Sequence, residues 1–213
     1  MLSKDRDGRI TGSSAGACMG VNRNCNRKQA FRRIIGIEKF EGNEATQWGS
    51  DNEVNALNTF ESNLGVICEE VLDDQQFHIH TKHNFLGCTP DGFTLWSILP
   101  IDNERSIIEF KCPYPDWKGR IPDEPRPDYY AQVQFNMEIC GCTESYLTFY
   151  MPEQIRVFRI AHDPEYVKIM LEYLEDFYHT FIETKTEPPR FSKSSPKPTL
   201  PEMKWEIIYD RQY

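Results

Sequence analysis

Ser106-Ile107-Ile108-Glu109-Phe110-Lys111 reads as one β-strand, an apolar run stopped by Pro113 and Pro115. Side chains alternate along a strand, so Ile107, Glu109 and Lys111 share one face while Ile108 and Phe110 enter the core on the other. An acid two residues before a lysine is a common pattern, and by itself it describes a surface ion pair on an edge strand. The neighbouring sequence gives it another meaning. Eighteen residues before Glu109 stands Asp91, in the turn Thr89-Pro90-Asp91-Gly92, where proline and glycine supply the turn dihedrals. Asp91 can leave that turn and meet Glu109 and Lys111 at the end of their strand. Two carboxylates so placed suit a hard divalent cation such as Mg²⁺, which prefers oxygen ligands and keeps several waters. The lysine cannot be a ligand. Its charge can orient or deprotonate a water and steady the negative charge of a phosphate.

Around this centre the chain alternates between strand and helix signals. Residues 85–96 (Phe85 to Trp96) read as a hairpin about the same turn, residues 66–68 and 77–80 as short strands, and residues 146–150 and 155–160 as two more. A helix is expected over residues 44–64, closed by Gly65, with an apolar stripe of Ala45, Trp48, Ala56, Leu57, Phe60 and Leu64. Glu53 falls on that stripe, so it is either buried for a purpose or set at the stripe's open end. A shorter helix is expected over 26–37, with Ala30, Phe31, Ile34 and Ile35 inward. The last helix starts at the Asp163-Pro164 cap and buries Val167, Met170, Leu171, Leu174, Tyr178 and Phe181. Residues 129–140 pull two ways. Ala131, Val133, Phe135, Met137 and Ile139 alternate with polar residues as in a strand, whereas Asp128 and Gly141 bracket a helix length as N-cap and C-cap. Periodicity alone favours the strand. The pattern predicts an α/β domain over residues 1–187, with a Pro-rich loop over 113–127. An extended C-terminal tail over 188–213 is expected to stay outside the core.

Composition narrows the class. The chain has 213 residues, 39% hydrophobic and 27% charged, enough to bury a sizeable core without staples. No apolar run approaches the roughly 18 residues of a membrane span, and the opening residues lack a signal-peptide core. An intracellular, cytoplasmic protein without a membrane partner is the expectation. Seven cysteines read as reduced core thiols, because neither Cys18 with Cys25 nor Cys140-Gly141-Cys142 has the usual zinc spacing. The net charge of −9 hides an asymmetry. Residues 1–39 carry nine basic and three acidic side chains, net +6, against −15 for the remainder. A basic segment on an acidic body is either a footprint for a polyanion or a solvated face paired with the body's acids.

Taken in order, Arg6-x-x-x-Ile10-Thr11-Gly12-Ser13, Trp48-Gly49 with Glu53, Thr89-Pro90-Asp91-Gly92, Ile108-Glu109-Phe110-Lys111-Cys112-Pro113, and Ala131-Gln132-Val133-Gln134 with Met137 resemble the motifs of YqaJ-type viral recombinases. These are alkaline nucleases similar to bacteriophage lambda exonuclease, within the PD-(D/E)xK superfamily. The resemblance covers roughly residues 6–160 in the family's order. It implies a restriction-endonuclease-like α/β core with a mixed central sheet flanked by helices, and it turns 129–140 into a helix.

For the site, the resemblance implies that Asp91, Glu109 and the Phe110 carbonyl hold Mg²⁺, with Mn²⁺ a possible substitute. Glu53 would help from its helix, Lys111 would act on the nucleophilic water, and Gln132 would orient that water or the phosphate. Arg6, Ser13 and Thr89 match positions that hold the 5′-terminal phosphate. The implied activity is 5′→3′ digestion of double-stranded DNA ends, leaving 3′ overhangs for recombination by strand annealing. The implied assembly is a homotrimer, working in a viral or phage-infected cell with a single-strand annealing protein. Three other readings share these residues. They are a PD-(D/E)xK endonuclease, an iron–sulfur CRISPR-associated nuclease, and a non-catalytic DNA-end-binding module. The iron–sulfur type wants a late cluster of three cysteines, and none follows Cys142.

Overall fold

A computed structural model describes residues 6–94, 105–115, 120–189 and 198–213. The strand quoted above, Ser106–Lys111 (β6), lies inside a mixed six-stranded sheet. The sheet runs β2 (Cys68–Glu69), β5 (Gly92–Thr94), β6, β7 (Glu144–Met151), β8 (Gln154–Ala161) and β9 (Glu206–Gln212). Among the described strands of this sheet only β6 and β7 pair in parallel; the other neighbours are antiparallel. A parallel pair needs a crossover, and helix α4 (Pro127–Cys140) provides it. A second sheet of three short strands, β1 (Ile10–Thr11), β4 (Leu86–Cys88) and β3 (His78–Ile79), stands apart from the first.

Two apolar clusters cover the faces of the large sheet. On one face Ile107, Leu147, Phe149 and Phe158 pack with α1 (Gly12–Cys18), α2 (Arg27–Ile34), α4 and α5 (Pro164–Phe177). On the other, Ile108, Phe110, Tyr146 and Val157 pack with Ala56, Leu57 and Phe60 of α3 (Glu44–Leu64). The alternation read from β6 is therefore the division between the two clusters. Glu109 belongs to the α4 face.

Helix α3 has the expected bounds, with Asn43 accepting from the Thr46 N–H at its start and Gly65 in the left-handed region at its end. Its stripe divides in two. Ala56, Leu57 and Phe60 are buried, whereas Ala45, Gly49 and Glu53 line a cleft. Helix α2 is shorter than 26–37, because the chain turns at Gly36 (φ 76°) and leaves Ile37 exposed.

Residues 127–140 are helical, against their alternation. Tyr130, Ala131, Val133, Gln134, Phe135, Asn136 and Met137 are all buried, and a helix covered on every side has no polar face to mark a 3.6 period. Pro127 opens it after Arg126, so the cap is Arg126 and not Asp128; Gly141 (φ 69°) closes it. The glycines of α1 let it lie close against α4. A Cβ on Gly16 would stand 3.1 Å from the Asp128 Cα, and one on Gly12 would collide with Asn136.

Two further expectations are corrected. Residues 85–96 do not form a hairpin. Leu86–Cys88 belongs to the small sheet and Gly92–Thr94 to the large one, so the Thr89-Pro90-Asp91 turn carries the chain between sheets; residues 95 and 96 lie outside the described residues. The tail also does not stay outside the core. Leu200, Met203 and Trp205 pack against the first cluster, Trp205 meets Phe158 edge to face at 5.3 Å, and β9 pairs with β8. The tail's residues 190–197 and the loop's residues 116–119 lie outside the described residues.

Asp163 caps α5 as the sequence indicated, its side chain accepting from the Glu165 and Tyr166 N–H groups at 3.1 Å. Burial alone would raise its pKa, but the Lys204 ammonium at 3.0 Å and the two N–H donors hold it below the ordinary carboxylate range. A depressed native pKa gives stability that is present above the unfolded value and lost as pH falls through the native one. Asp163→Ala is expected to lose about 1–2 kcal/mol at pH 7 by thermal denaturation. Asp163→Asn, which keeps the cap, should lose much less. Equal losses would show that the charge, not the cap, stabilises this corner.

Candidate active site

The carboxyl end of β6 opens into a cleft of about 640 Å³ between α3, the start of α4 and the segment following the strand. Its lining includes Glu53, Asp91, Glu109, Phe110, Lys111, Arg126 and Tyr129. Sequence separation from Glu53 to Tyr129 is large, and the fold removes it by bringing a helix, an inter-sheet turn, a central strand and a crossover helix to one place.

Glu109 is the hub, only 2% exposed. Its Oε1 accepts from the Lys111 ammonium at 2.7 Å and from the Gln132 side-chain amide, and its Oε2 accepts from the Asn136 amide at 3.2 Å. Gln132 and Asn136 lie four apart on α4, so one face of that helix presents both donors to the strand. Asp91 is fixed differently: its Oδ2 accepts from the Phe110 backbone N–H at 2.7 Å, which ties the inter-sheet turn to β6. Glu53 accepts from the Gln75 side-chain amide at 3.3 Å, and the same amide stands 3.5 Å from the Asp91 carbonyl. The Lys111 ammonium also sits 4.9 Å from the centre of the Tyr129 ring.

Three carboxylates face one ammonium here. Burial pushes the Asp91 pKa well above the ordinary range and the charge of Glu109 pushes it further, against the opposing pull of Lys111. Glu53 is raised by burial and then by Glu109. Burial pulls Lys111 down, but Glu109 and Asp91 outweigh it and hold the ammonium charged. Such a surplus of buried negative charge, carried on oxygen, suits a hard divalent cation. Among the described residues no three His, Cys, Asp or Glu side chains are grouped closely enough to hold a metal ion by themselves. Asp91, Glu109 and Glu53 are the side chains of the cleft whose chemistry could serve such an ion, and the sequence adds the Phe110 carbonyl to them.

The residues singled out in the sequence fall into two groups. Asp91, Glu109, Phe110, Lys111, Glu53 and Gln132 converge. Arg6, Ser13 and Thr89 are not among the described residues that line the cleft. Arg6 lies over the Phe77 ring at 6.0 Å, Ser13 shares a hydroxyl contact with Thr11, and the Thr89 hydroxyl is buried without a partner among the described residues. Part of the basic N-terminal segment is paired within the chain, with Lys28 and Arg32 on Glu187 and Arg32 and Arg33 near Glu38. Sequence reading missed Asn136 and Gln75. For Asn136 a signal existed in its spacing of four from Gln132; for Gln75, in a loop, there was none.

A model of the YqaJ-like viral recombinase domain matches residues 3–143. Among solved structures, the alkaline exonuclease LHK-Exo from Laribacter hongkongensis is similar with a TM-score of 0.67 at 24% identity, over 85% of this chain and 91% of that one. The same exonuclease in complex with dAMP gives 0.67 at 21% identity over the same shares. A phage-related exonuclease from Haemophilus somnus 129PT gives 0.59 at 16% identity, over 83% and 96%. No curated protein matches the chain. The fold is thus that of these solved exonucleases, a mixed sheet flanked by helices. Because the matched residues take in every side chain that meets at Glu109, fold and site lead to the same assignment: the chain belongs to the YqaJ-like viral recombinase family.

Proposed function

We propose that this protein is a divalent-metal-dependent deoxyribonuclease that digests double-stranded DNA from its ends in the 5′→3′ direction, leaving 3′ overhangs for recombination by strand annealing. The observation that carries the reading is the meeting of Asp91, Glu109 and Lys111 in one cleft of a YqaJ-like chain. Asp91 and Glu109, with the Phe110 carbonyl, would hold the ion, and Mg²⁺ is the natural occupant, with Mn²⁺ a substitute. When bound, the cation supplies charge stabilisation at the phosphate and an activated water. The chain supplies the rest. Lys111 keeps its positive charge beside the carboxylates, where it orients the attacking water and balances charge growing on the phosphate. Gln132 holds the Glu109 oxygen shared with Lys111, which fixes the ammonium's position. Glu53, steadied by Gln75, faces the same water from α3. A nucleoside monophosphate, the species bound to the Laribacter enzyme, is the expected product.

Arg6, Ser13 and Thr89 belong to this reading as the residues assigned to the 5′-terminal phosphate. Arg6 offers a planar, permanently charged fork suited to a phosphate dianion. A homotrimer closed around duplex DNA, and an annealing protein that receives the overhang, belong to it as partners.

The experiment is digestion of linear duplex with and without a 5′ phosphate, beside closed circular DNA, in Mg²⁺ and in chelator. Linear phosphorylated duplex should be degraded to mononucleotides and circular DNA spared. A charge-assisted pair of roughly 1.5–3 kcal/mol makes the 5′-phosphate preference about tenfold or more, and Arg6→Ala should erase most of it. Cleavage of closed circles would favour an endonuclease. Equal rates on both kinds of end would remove Arg6 and Ser13 from the site.

A further inference from the structure

Asn136 contacts the most enclosed carboxylate of the cleft, yet its own oxygen is left over. The side chain is 1% exposed; Nδ2 donates to Glu109, and Oδ1 has no donor among the described residues. A buried amide oxygen without a partner is unfavourable, and rotating the amide would be worse, since it would set Oδ1 against the Glu109 carboxylate. The charge of Glu109 therefore fixes which way the amide faces.

Opposite Oδ1 lies Gly12, the first residue of α1. A Cβ built on Gly12 would stand 2.3 Å from Asn136 Oδ1 and 3.2 Å from its Cγ, with the Gln132 Cγ at 3.4 Å. Gly12 is not among the glycines with positive φ. Its place is set by closeness alone. The N-terminal segment thus presses its backbone onto Asn136 from the side away from Glu109, and the amide has carboxylate on one flank and backbone on the other.

We propose that Asn136 is a positioning residue for Glu109, and that Gly12 is the stop holding it in place. The inference rests on the reading of Glu109 as a catalytic carboxylate. Lys111 and Gln132 both bond Oε1, so they leave the carboxylate free to pivot about that oxygen. Asn136 alone among the described residues donates to Oε2 and fixes the plane. The N-terminal motif is thereby connected to a carboxylate of the central sheet through one amide.

The test is a cycle of Gly12→Ala, Asn136→Ala and the double variant, with Asn136→Leu as a near-isosteric control that keeps the branched shape and removes the donor without adding a charge. Each is checked for folding by thermal melting, then measured for kcat and KM on linear duplex and for Mn²⁺ affinity by titration without DNA. Partners that orient a metal-holding group are typically worth about 10–100-fold, so Asn136→Ala, Asn136→Leu and Gly12→Ala should each lower kcat and Mn²⁺ affinity on that scale. KM for DNA should stay within about twofold, since binding is not what is disturbed. In the Asn136→Ala background Gly12→Ala should add little, because the atoms it strikes are gone; independent losses would instead multiply. Folded Asn136→Leu with native kcat and Mn²⁺ affinity would overturn the proposal, as would multiplying losses. If Asn136→Ala does not fold, Asn136→Leu and Gly12→Ala decide the matter between them. Native protein that degrades no DNA would overturn the nuclease reading, and the Mn²⁺ titrations would then still decide the role of Asn136.

Discussion

Asp91→Asn is expected to bind duplex DNA, to lose cleavage by about 10²–10³-fold, and to melt at a higher temperature than the native protein in chelator. The first loss is the scale of removing one preorganised charge from a reaction site. The gain in stability follows from the site's surplus of negative charge. Burial and then Glu109 raise the Asp91 pKa, so the folded protein holds that proton more tightly than the unfolded chain. Stability is therefore taken away as pH rises from the ordinary value of about 3.9 through the native one, and an asparagine has no such charge to lose. Its side-chain oxygen can still accept from the Phe110 N–H. In a domain of this size about 1 kcal/mol corresponds to 2–4 °C, so a rise of at least about 2 °C is expected at pH 7, shrinking toward pH 4. Cleavage within tenfold of native would remove Asp91 from the site. A fall in melting temperature would show that the carboxylate is held by donors, not strained by its neighbours.

Lys111→Ala should lose turnover by about 10²–10³-fold with Mn²⁺ affinity largely kept. Lys111 is 19% exposed on its side chain and paired with Glu109. Its ammonium is held charged by Glu109 and Asp91 against the pull of burial. Lys111→Arg should not restore activity, because a planar fork cannot occupy the ammonium's place between Glu109 and the Tyr129 ring. Recovery by arginine to within a few-fold would show that any cation suffices.

The parts of the fold legible in the sequence are those with local punctuation. Helix α3 ends where Gly65 can adopt a left-handed conformation, and α5 begins where Asp163 and Pro164 agree on a cap. The turn at 89–92 was legible as a turn but not as to its partners. Gly87 lies against Phe77 and Gly92 against Val71, close approaches on the two flanking strands that leave no mark in the local pattern. Helix α4 was hidden for the opposite reason. Its polar residues are buried too, Gln134 bonding both the Ala161 carbonyl and the Asp163 N–H, so polarity no longer reports exposure. The converging site residues were recognisable as an ordered set of motifs, whereas Asn136 and Gln75 depend on which backbone comes to lie beside them. Of the two readings of the charge of residues 1–39, pairing with acids of the body holds for Lys28 and Arg32, which reach Glu187 across the chain.

The separation of the two apolar clusters by β6 limits how this segment can change over generations. Ile107, Glu109 and Lys111 face α4, and Ile108 and Phe110 face α3, so losing or gaining one residue within 106–111 would turn the acid and the lysine toward the α3 cluster and Phe110 toward α4. Exchange of one apolar side chain for another is tolerable at 107 and 108. A one-codon insertion or deletion is not, and variation in length has to collect in the connections on either side of the strand.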